Sequence, residues 1–183
     1  MPDQLGWRAN WGIIAPSTNT SVQPEFEAMR PRGVTNHMSR IWIPDEPLSS
    51  NEDFENLMDN IRKEWDDALL RVMTCSPDYL VMGMSSETFW GGLARANELR
   101  AHMMELTGLR VAMGSDACQA AIRCYGDIKR IGVLTPYWPV ADANVKLFLE
   151  DCGFEVVAIK GLCCERPRAM AHVNEKVMLD ALL

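Results

Sequence analysis

The chain has 183 residues, 48% of them hydrophobic and 23% charged, which suits one globular domain or two small ones with a real core. Its net charge of −7, with no basic run or stripe, argues against a nucleic-acid partner. No apolar segment approaches a membrane span or a signal-peptide core, so a cytoplasmic location is the expectation.

In chain order, residues 11–15 (Trp-Gly-Ile-Ile-Ala) form an apolar run stopped by Pro16, a first buried strand. The polar turn Pro16-Ser-Thr-Asn-Thr follows, with side chains able to bond nearby backbone or a ligand. Residues 37–43 alternate loosely up to Pro44 and read as a second strand. Ser50-Asn-Glu-Asp53 has a capping-box pattern. Phe54, Leu57, Met58, Ile61, Trp65, Ala68, Leu69, Val72 and Met73 then keep helical spacing along one apolar face. A third strand is expected at 79–82, then a helix over about 90–107 with Leu93, Leu99, Met103 and Leu106 inward and Gly108 as its stop. A fourth strand at 109–113, a short helix at 117–125, a fifth strand at 130–135, a helix through Val145, Phe148 and Leu149, and a sixth strand at 155–159 complete the alternation. Such a pattern means α/β layers with parallel sheets.

The chain is organised around residues 77–92, PDYLVMGMSSETFWGG. The short apolar run suits a strand buried on both faces, and Gly83, Ser85, Ser86 and Thr88 follow at its carboxyl end. In open α/β sheets ligands bind there. A glycine followed by hydroxyls offers backbone N–H and O–H donors to an anion, with a helix's positive end behind them. The plain alternative is a capped strand-to-helix turn.

Six cysteines (Cys75, Cys118, Cys124, Cys152, Cys163 and Cys164) form no CxxC pair and have no histidine at ligand spacing. Neither a disulfide framework nor a metal site is expected, and most of these thiols read as small buried hydrophobes. No GxGxxG or GxxxxGK[ST] loop supports a nucleotide-binding protein.

An internal echo sets residues 11–17 against 131–137, each copy holding Gly followed by an apolar run and Pro. The second copy leads to a helix carrying Met170, Val173, Val177, Met178 and Ala181, and the sequence ends at Leu183 within that pattern. The expectation is two pseudo-symmetric, flavodoxin-like or Rossmann-like parallel-sheet domains. The first spans 1–114 with four strands, and the second spans 115–183, truncated after two strands in what reads as a fragment.

Gly12-Ile-Ile-Ala-Pro-Ser-Thr-Asn-Thr20, Val81-Met-Gly-Met-Ser85 with Phe89, Trp90 and Gly92, Gly132-Val-Leu-Thr-Pro-Tyr137 and Ala169-Met-Ala-His-Val173 together resemble the aspartate/glutamate racemase superfamily. Within it, the branch of maleate cis-trans isomerase and arylmalonate decarboxylase is most similar. The resemblance implies two α/β domains with a cleft between them, no cofactor, a small carboxylate or dicarboxylate substrate and a possible homo-oligomer. It also implies a thiol after the central strand of each half. The first of these positions falls on Gly83 and the second beyond Leu183. Glycine at the first position is decarboxylase-like, whereas the PSTNT turn is isomerase-like, so decarboxylation, isomerisation and racemisation all stay open.

Loss of CO2 from a malonate, or of a proton beside a carboxylate, makes a planar enediolate that pre-aimed donors stabilise. The expected substrate-binding residues are Pro16, Ser17, Asn19, Gly83, Met84, Ser85, Ser86 and Tyr137. A thiol would then deliver the proton, or in an isomerase add to the double bond. The lesser alternatives are Asn19 as a turn cap and Tyr137 as a strand-end core residue. Cys75 lies at the wrong end of its strand and reads as packing; Cys118 is a weaker catalytic candidate. The competing reading is a carboxylate-binding protein without chemistry.

Overall fold

The computed structural model describes residues 3–183. The first half folds as β1 (Ala9–Pro16), α1 (Val22–Met29), β2 (Val34–Ile41), α2 (Asn51–Met73), β3 (Tyr79–Met82), α3 (Ser86–Phe89), α4 (Gly92–Thr107) and β4 (Val111–Ala112). Then follow α5 (Gly114–Cys124), β5 (Arg130–Thr135), α6 (Pro139–Asp151), β6 (Glu155–Gly161), α7 (Pro167–Met170) and α8 (Glu175–Leu182). β2-β1-β3-β4 make a four-stranded parallel sheet in flavodoxin order, and β5 pairs in parallel with β6 in a second sheet. Among the described residues no helix is long and apolar enough to cross a membrane.

Burial explains the first half. Ile13, Ile14 and Ala15 of β1 are fully buried between flanking strands. The stripe of α2 covers Ile14 with Phe54, Leu57, Met58, Ile61, Trp65, Ala68, Leu69 and Val72. Ser50 caps that helix by accepting from the Asp53 amide at 3.1 Å, and Asp53 reaches back to the Ser49 amide at 2.8 Å. The Ser49 hydroxyl also donates to Asp53, at 2.7 Å, and that bond first, with the others after it, holds the Asp53 carboxyl below its ordinary value.

The halves are locked by exchanged helix caps. Asn144 and Asp151 of α6 accept from the Gly91 and Leu93 amides at the start of α4, at 2.8 and 3.0 Å. Asn51 at the start of α2 accepts from the Val140 amide of α6 at 3.1 Å. Phe89 meets Phe148 edge to face at 5.2 Å between ring centres.

Several elements differ from the sequence reading. The second strand lies at Val34–Ile41, earlier than 37–43, because its register is set by pairing with β1 from Ala9 onward. The fourth strand shrinks to Val111–Ala112, an edge paired only with β3. Helix α1 is added, as is α3, a single turn ahead of the helix expected from residue 90. The helix expected through Met170 and Ala181 is two helices, with Asn174 capping the second through the Val177 amide at 3.1 Å. Leu106, expected inward, is exposed.

The thiols are not core residues. Cys75, Cys118, Cys124 and Cys163 are exposed and Cys152 and Cys164 half-buried, at helix ends, on α5 and in the loop after β6. Cys75 is not packing; its thiol donates to the Val72 carbonyl at 3.0 Å in the turn ending α2.

Candidate active site

Parallel pairing of β1 with β2 on one side and β3 on the other makes the carboxyl ends of β1 and β3 the switch point of the sheet. A cavity of about 330 Å³ opens there. Pro16, Thr18, Asn19, Ser21 and Val22 line it from the β1 loop, and Gly83, Met84, Ser85 and Ser86 from the β3 loop. Gly114 sits at the start of α5, Pro136 and Tyr137 come from the β5 loop, and Pro167, Met170 and Ala171 close it from around α7. Ile43, Phe54, Leu57 and Ile61 form an apolar wall. No charged side chain lines the cavity among the described residues. The structure thus brings together all of the sequence-predicted site residues except Ser17.

Ser17 is turned away. Its hydroxyl accepts from the Ile43 amide at 3.0 Å and donates to the Ile43 carbonyl at 3.2 Å, tying the β1 loop to the segment after β2. Asn19 is a cap: its side-chain oxygen accepts from the Ser21 and Val22 amides, each at 2.9 Å, at the start of α1. Its Nδ2 donates to no protein group among the described residues. Arg40 braces the loop from behind through the Asn19 carbonyl at 2.8 Å and the Pro16 carbonyl at 3.2 Å.

On the β3 side the Gly83 amide is committed to the Ile14 carbonyl at 2.7 Å. The Met84 and Ser85 amides donate to no protein group among the described residues. A Cβ on Gly83 would lie 2.9 Å from Val22 Cγ1 and 3.0 Å from the Ile14 carbonyl oxygen, so the close approach of α1 requires the missing side chain.

Ser85 Oγ and Tyr137 Oη lie 2.5 Å apart, joining the two halves across the cavity. Tyr137 is 7% exposed, and burial pushes its phenol up to about 12, with the Ser85 bond opposing that shift. It remains a neutral O–H donor throughout the physiological range. The Thr88 hydroxyl donates to the Ser85 carbonyl at 2.7 Å and accepts from the Ser115 amide at 3.2 Å, fixing the loop to α5. Below Tyr137, Thr135 Oγ1 accepts from the Tyr137 amide at 3.1 Å and donates to buried Asp142 at 2.5 Å. Burial pushes the Asp142 carboxyl up.

None of the six cysteines lines this cavity. Cys118 opens instead onto a second, apolar cavity of about 520 Å³ behind Tyr137. Among the described residues no group of three or more His, Cys, Asp and Glu side chains is arranged to hold a metal ion. The sequence reading missed Thr18, which lies inside the PSTNT turn, Ser21 just beyond it, and the wall from α2 and α7, for which only tertiary packing gives a signal.

An open α/β sheet with an uncharged, donor-rimmed cavity at its switch point defines a protein built to hold a small polar or anionic molecule. The chain belongs to the arylmalonate decarboxylase family, whose sequence profile matches residues 11–183. That membership puts it in the maleate isomerase/arylmalonate decarboxylase branch of the aspartate/glutamate racemase superfamily. Among solved structures, it is similar to the maleate cis-trans isomerase of Nocardia farcinica bound to TRIS (TM-score 0.81, 17% identity, 94% of this chain and 71% of that one). It is similar also to the maleate isomerase Iso of Pseudomonas putida S16 (TM-score 0.76, 19% identity, 91% and 69%). A crystal structure of arylmalonate decarboxylase is a third match (TM-score 0.69, 20% identity, 94% and 68%). No curated protein matches the chain significantly.

Proposed function

We propose that the chain acts as a cofactor-independent lyase or isomerase on a small carboxylate, with decarboxylation of a malonate bearing an apolar substituent as the reaction its cavity suits best. The observation that carries this reading is the Ser85–Tyr137 hydroxyl pair beside the free Met84 and Ser85 amides, facing an apolar wall and no charged side chain. One carboxylate would take the hydroxyls, the amides and Asn19 Nδ2, and the substituent would lie against Phe54, Leu57 and Ile61. The bond from the central carbon to the second carboxylate then breaks, CO2 leaves, and the electron pair enters the retained carboxylate as an enediolate. The donors stabilise its growing oxygen charge, and a proton drawn from solvent completes the product at carbon. Pro16 and Gly83 shape the cavity without donating to the substrate.

A thiol-adduct isomerisation, as in the maleate isomerases, is less well supported, since no cysteine lines the cavity. The same observation favours a second reading, a carboxylate-binding protein without turnover. The common Gly-apolar-Pro ends of β1 and β5, each paired in parallel with the next strand, support two pseudo-symmetric halves at 1–114 and 115–183. A cytoplasmic location and a homo-oligomer belong to the same reading, the latter supported by exposed Leu5, Trp7, Met29 and Trp42.

The test is incubation with phenylmalonate, maleate and aspartate in D2O, following CO2 release and deuterium uptake. Labelled phenylacetate from phenylmalonate is the expected result. Tight phenylmalonate binding with no product from any substrate would establish the binder instead.

A further inference from the structure

Glu87 is a buried carboxylate that the proposed chemistry does not use: it is 7% exposed, two residues beyond Ser85 in the single turn of α3. One helical turn does not hold itself, because nucleating a helix fixes several residues for one hydrogen bond. An external brace holds this one. Arg62, on the long rigid α2, grips Glu87 with a two-pronged pair, Nε to Oε1 at 2.8 Å and Nη2 to Oε2 at 2.9 Å. Its Nη1 is fixed by Asp59 at 2.9 Å.

The grip extends to the other half of the donor pair. The Arg62 guanidinium lies 5.3 Å from the Trp90 ring centre. Trp90 lies parallel to Phe54 with ring centres 6.3 Å apart, and Phe54 meets the Tyr137 ring edge-on at 5.8 Å. Tyr137 then bonds Ser85, which closes a ring of contacts back to Glu87. Stability is a poor reason for this arrangement, since a buried ion pair adds little over apolar residues of the same size. A forked pair gives a fixed geometry instead.

We propose that the Arg62–Glu87 pair is the positioning element of the Ser85–Tyr137 donors, fixing the β3 loop directly and the phenol through Trp90 and Phe54. This rests on the reading of Ser85 and Tyr137 as carboxylate donors. Arg62 and Glu87 touch no substrate; they set where the hydroxyls point.

The test compares Arg62→Met, which keeps the stem, and Arg62→Lys, which keeps the charge without the fork, in CO2 release from phenylmalonate. Both variants are expected to lose about 100-fold in kcat, the cost of an ångström-scale misplacement, with KM changed less than about 2-fold. A second readout is independent of turnover. Tyrosine ionisation is followed by ultraviolet absorbance after a rapid jump to high pH, with Tyr137→Phe identifying the Tyr137 component. In Arg62→Met that component should move down toward an ordinary phenol as the ring loses its enclosure. An unshifted Tyr137 titration, or kcat within about 3-fold of the parent in a folded Arg62→Met, overturns the proposal. If Arg62→Met does not fold, Glu87→Gln decides in its place: a fall in kcat of about 10-fold at constant KM supports positioning, and unchanged kcat overturns it. Normal turnover in Ser85→Ala and Tyr137→Phe would sink the donor reading instead. Turnover lost in those two yet kept in both Arg62 variants sinks the positioning alone.

Discussion

Gly83→Cys puts a thiol on the bare side of the cavity, and the structure sets its cost. Gly83 is not among the glycines with positive φ, so the backbone accepts a side chain and the penalty is steric. The new Cβ would lie 2.9 Å from Val22 Cγ1, 3.0 Å from the Ile14 carbonyl oxygen and 3.3 Å from Ile13 Cγ2. The carbonyl is held in the sheet and Ile13 is fully buried, so Val22, half-buried at the start of α1, must yield. Overpacking of this kind costs about 1–3 kcal/mol. For a chain of this length that lowers Tm by roughly 3–10 °C. Val22→Ala removes the obstructing methyl, so the double variant should recover at least about 1 kcal/mol relative to the sum of the single changes. Thermal unfolding of the four proteins measures this coupling, and α-deuterium exchange into phenylacetate or aspartate in D2O reports on the thiol. Exchange should appear in the double variant more strongly than in Gly83→Cys alone, where the strained loop misplaces the sulfur. A neutral Gly83→Cys, or simple additivity with Val22→Ala, would refute the packing argument. A well-folded double variant with no exchange would refute the assignment of Gly83 to a thiol position.

Tyr137→Phe should lower kcat for phenylmalonate by about 10- to 150-fold, the value of a hydrogen bond to a charged group, with KM changed little, as read by CO2 release with the fold checked by circular dichroism. The raised Tyr137 phenol also makes stability fall as pH rises: between about 10 and 12 the folded state keeps a proton that the unfolded state releases, so about 2–3 kcal/mol is lost across that window. Denaturant midpoints of Tyr137→Phe should lack that part of the slope. Gly161→Ala would drive a Cβ into Asp142 Oδ2 and the Tyr137 carbonyl oxygen, and should cost about 1–3 kcal/mol in urea unfolding while lowering kcat for phenylmalonate. Asp142→Asn should raise the urea midpoint at pH 7, where the native carboxylate is buried, and leave it unchanged near pH 3, where Asp142 is already protonated.

The elements legible in the sequence are those whose burial writes a period into it. The α2 stripe from Phe54 to Val72 and the solid apolar cores of β1 and β3 needed no tertiary information, and they alone put the PSTNT and Gly83–Ser86 turns at one end of the sheet. Helix α1 was not legible: Val-Gln-Pro-Glu-Phe-Glu-Ala-Met carries a proline in its first turn and buries no residue. Neither was α3, a turn held by Arg62 from 25 positions away. The direction of the Ser17 hydroxyl depends on the Ile43 backbone, 26 residues on, and local spacing carries no trace of it. The cysteines were misread for a related reason. Burial statistics describe thiols in general, whereas four of these six are exposed and two half-buried, at helix ends, on α5 and in the loop after β6.

The absence of charge on the cavity's lining bears on which state of the substrate is held best. An arginine or lysine there would attract a substrate carboxylate before reaction about as strongly as the enediolate after it, and uniform binding of that kind does not raise kcat. Fixed neutral donors behave differently when one of them is a buried phenol. Tyr137 Oη and Ser85 Oγ lie side by side, and the pair's pull on an oxygen rises with the charge that the oxygen gains as the carbon–carbon bond breaks. The lack of a charged partner deepens that difference. The second, departing carboxylate finds no cation on the lining to hold it, which favours its loss as neutral CO2. A cavity arranged this way therefore works on the difference between ground and transition states, provided the two hydroxyls stay in register across the junction of the two halves. That condition is why the brace from Arg62 through Glu87 on one side, and through Trp90 and Phe54 on the other, matters to the chemistry as well as to the fold.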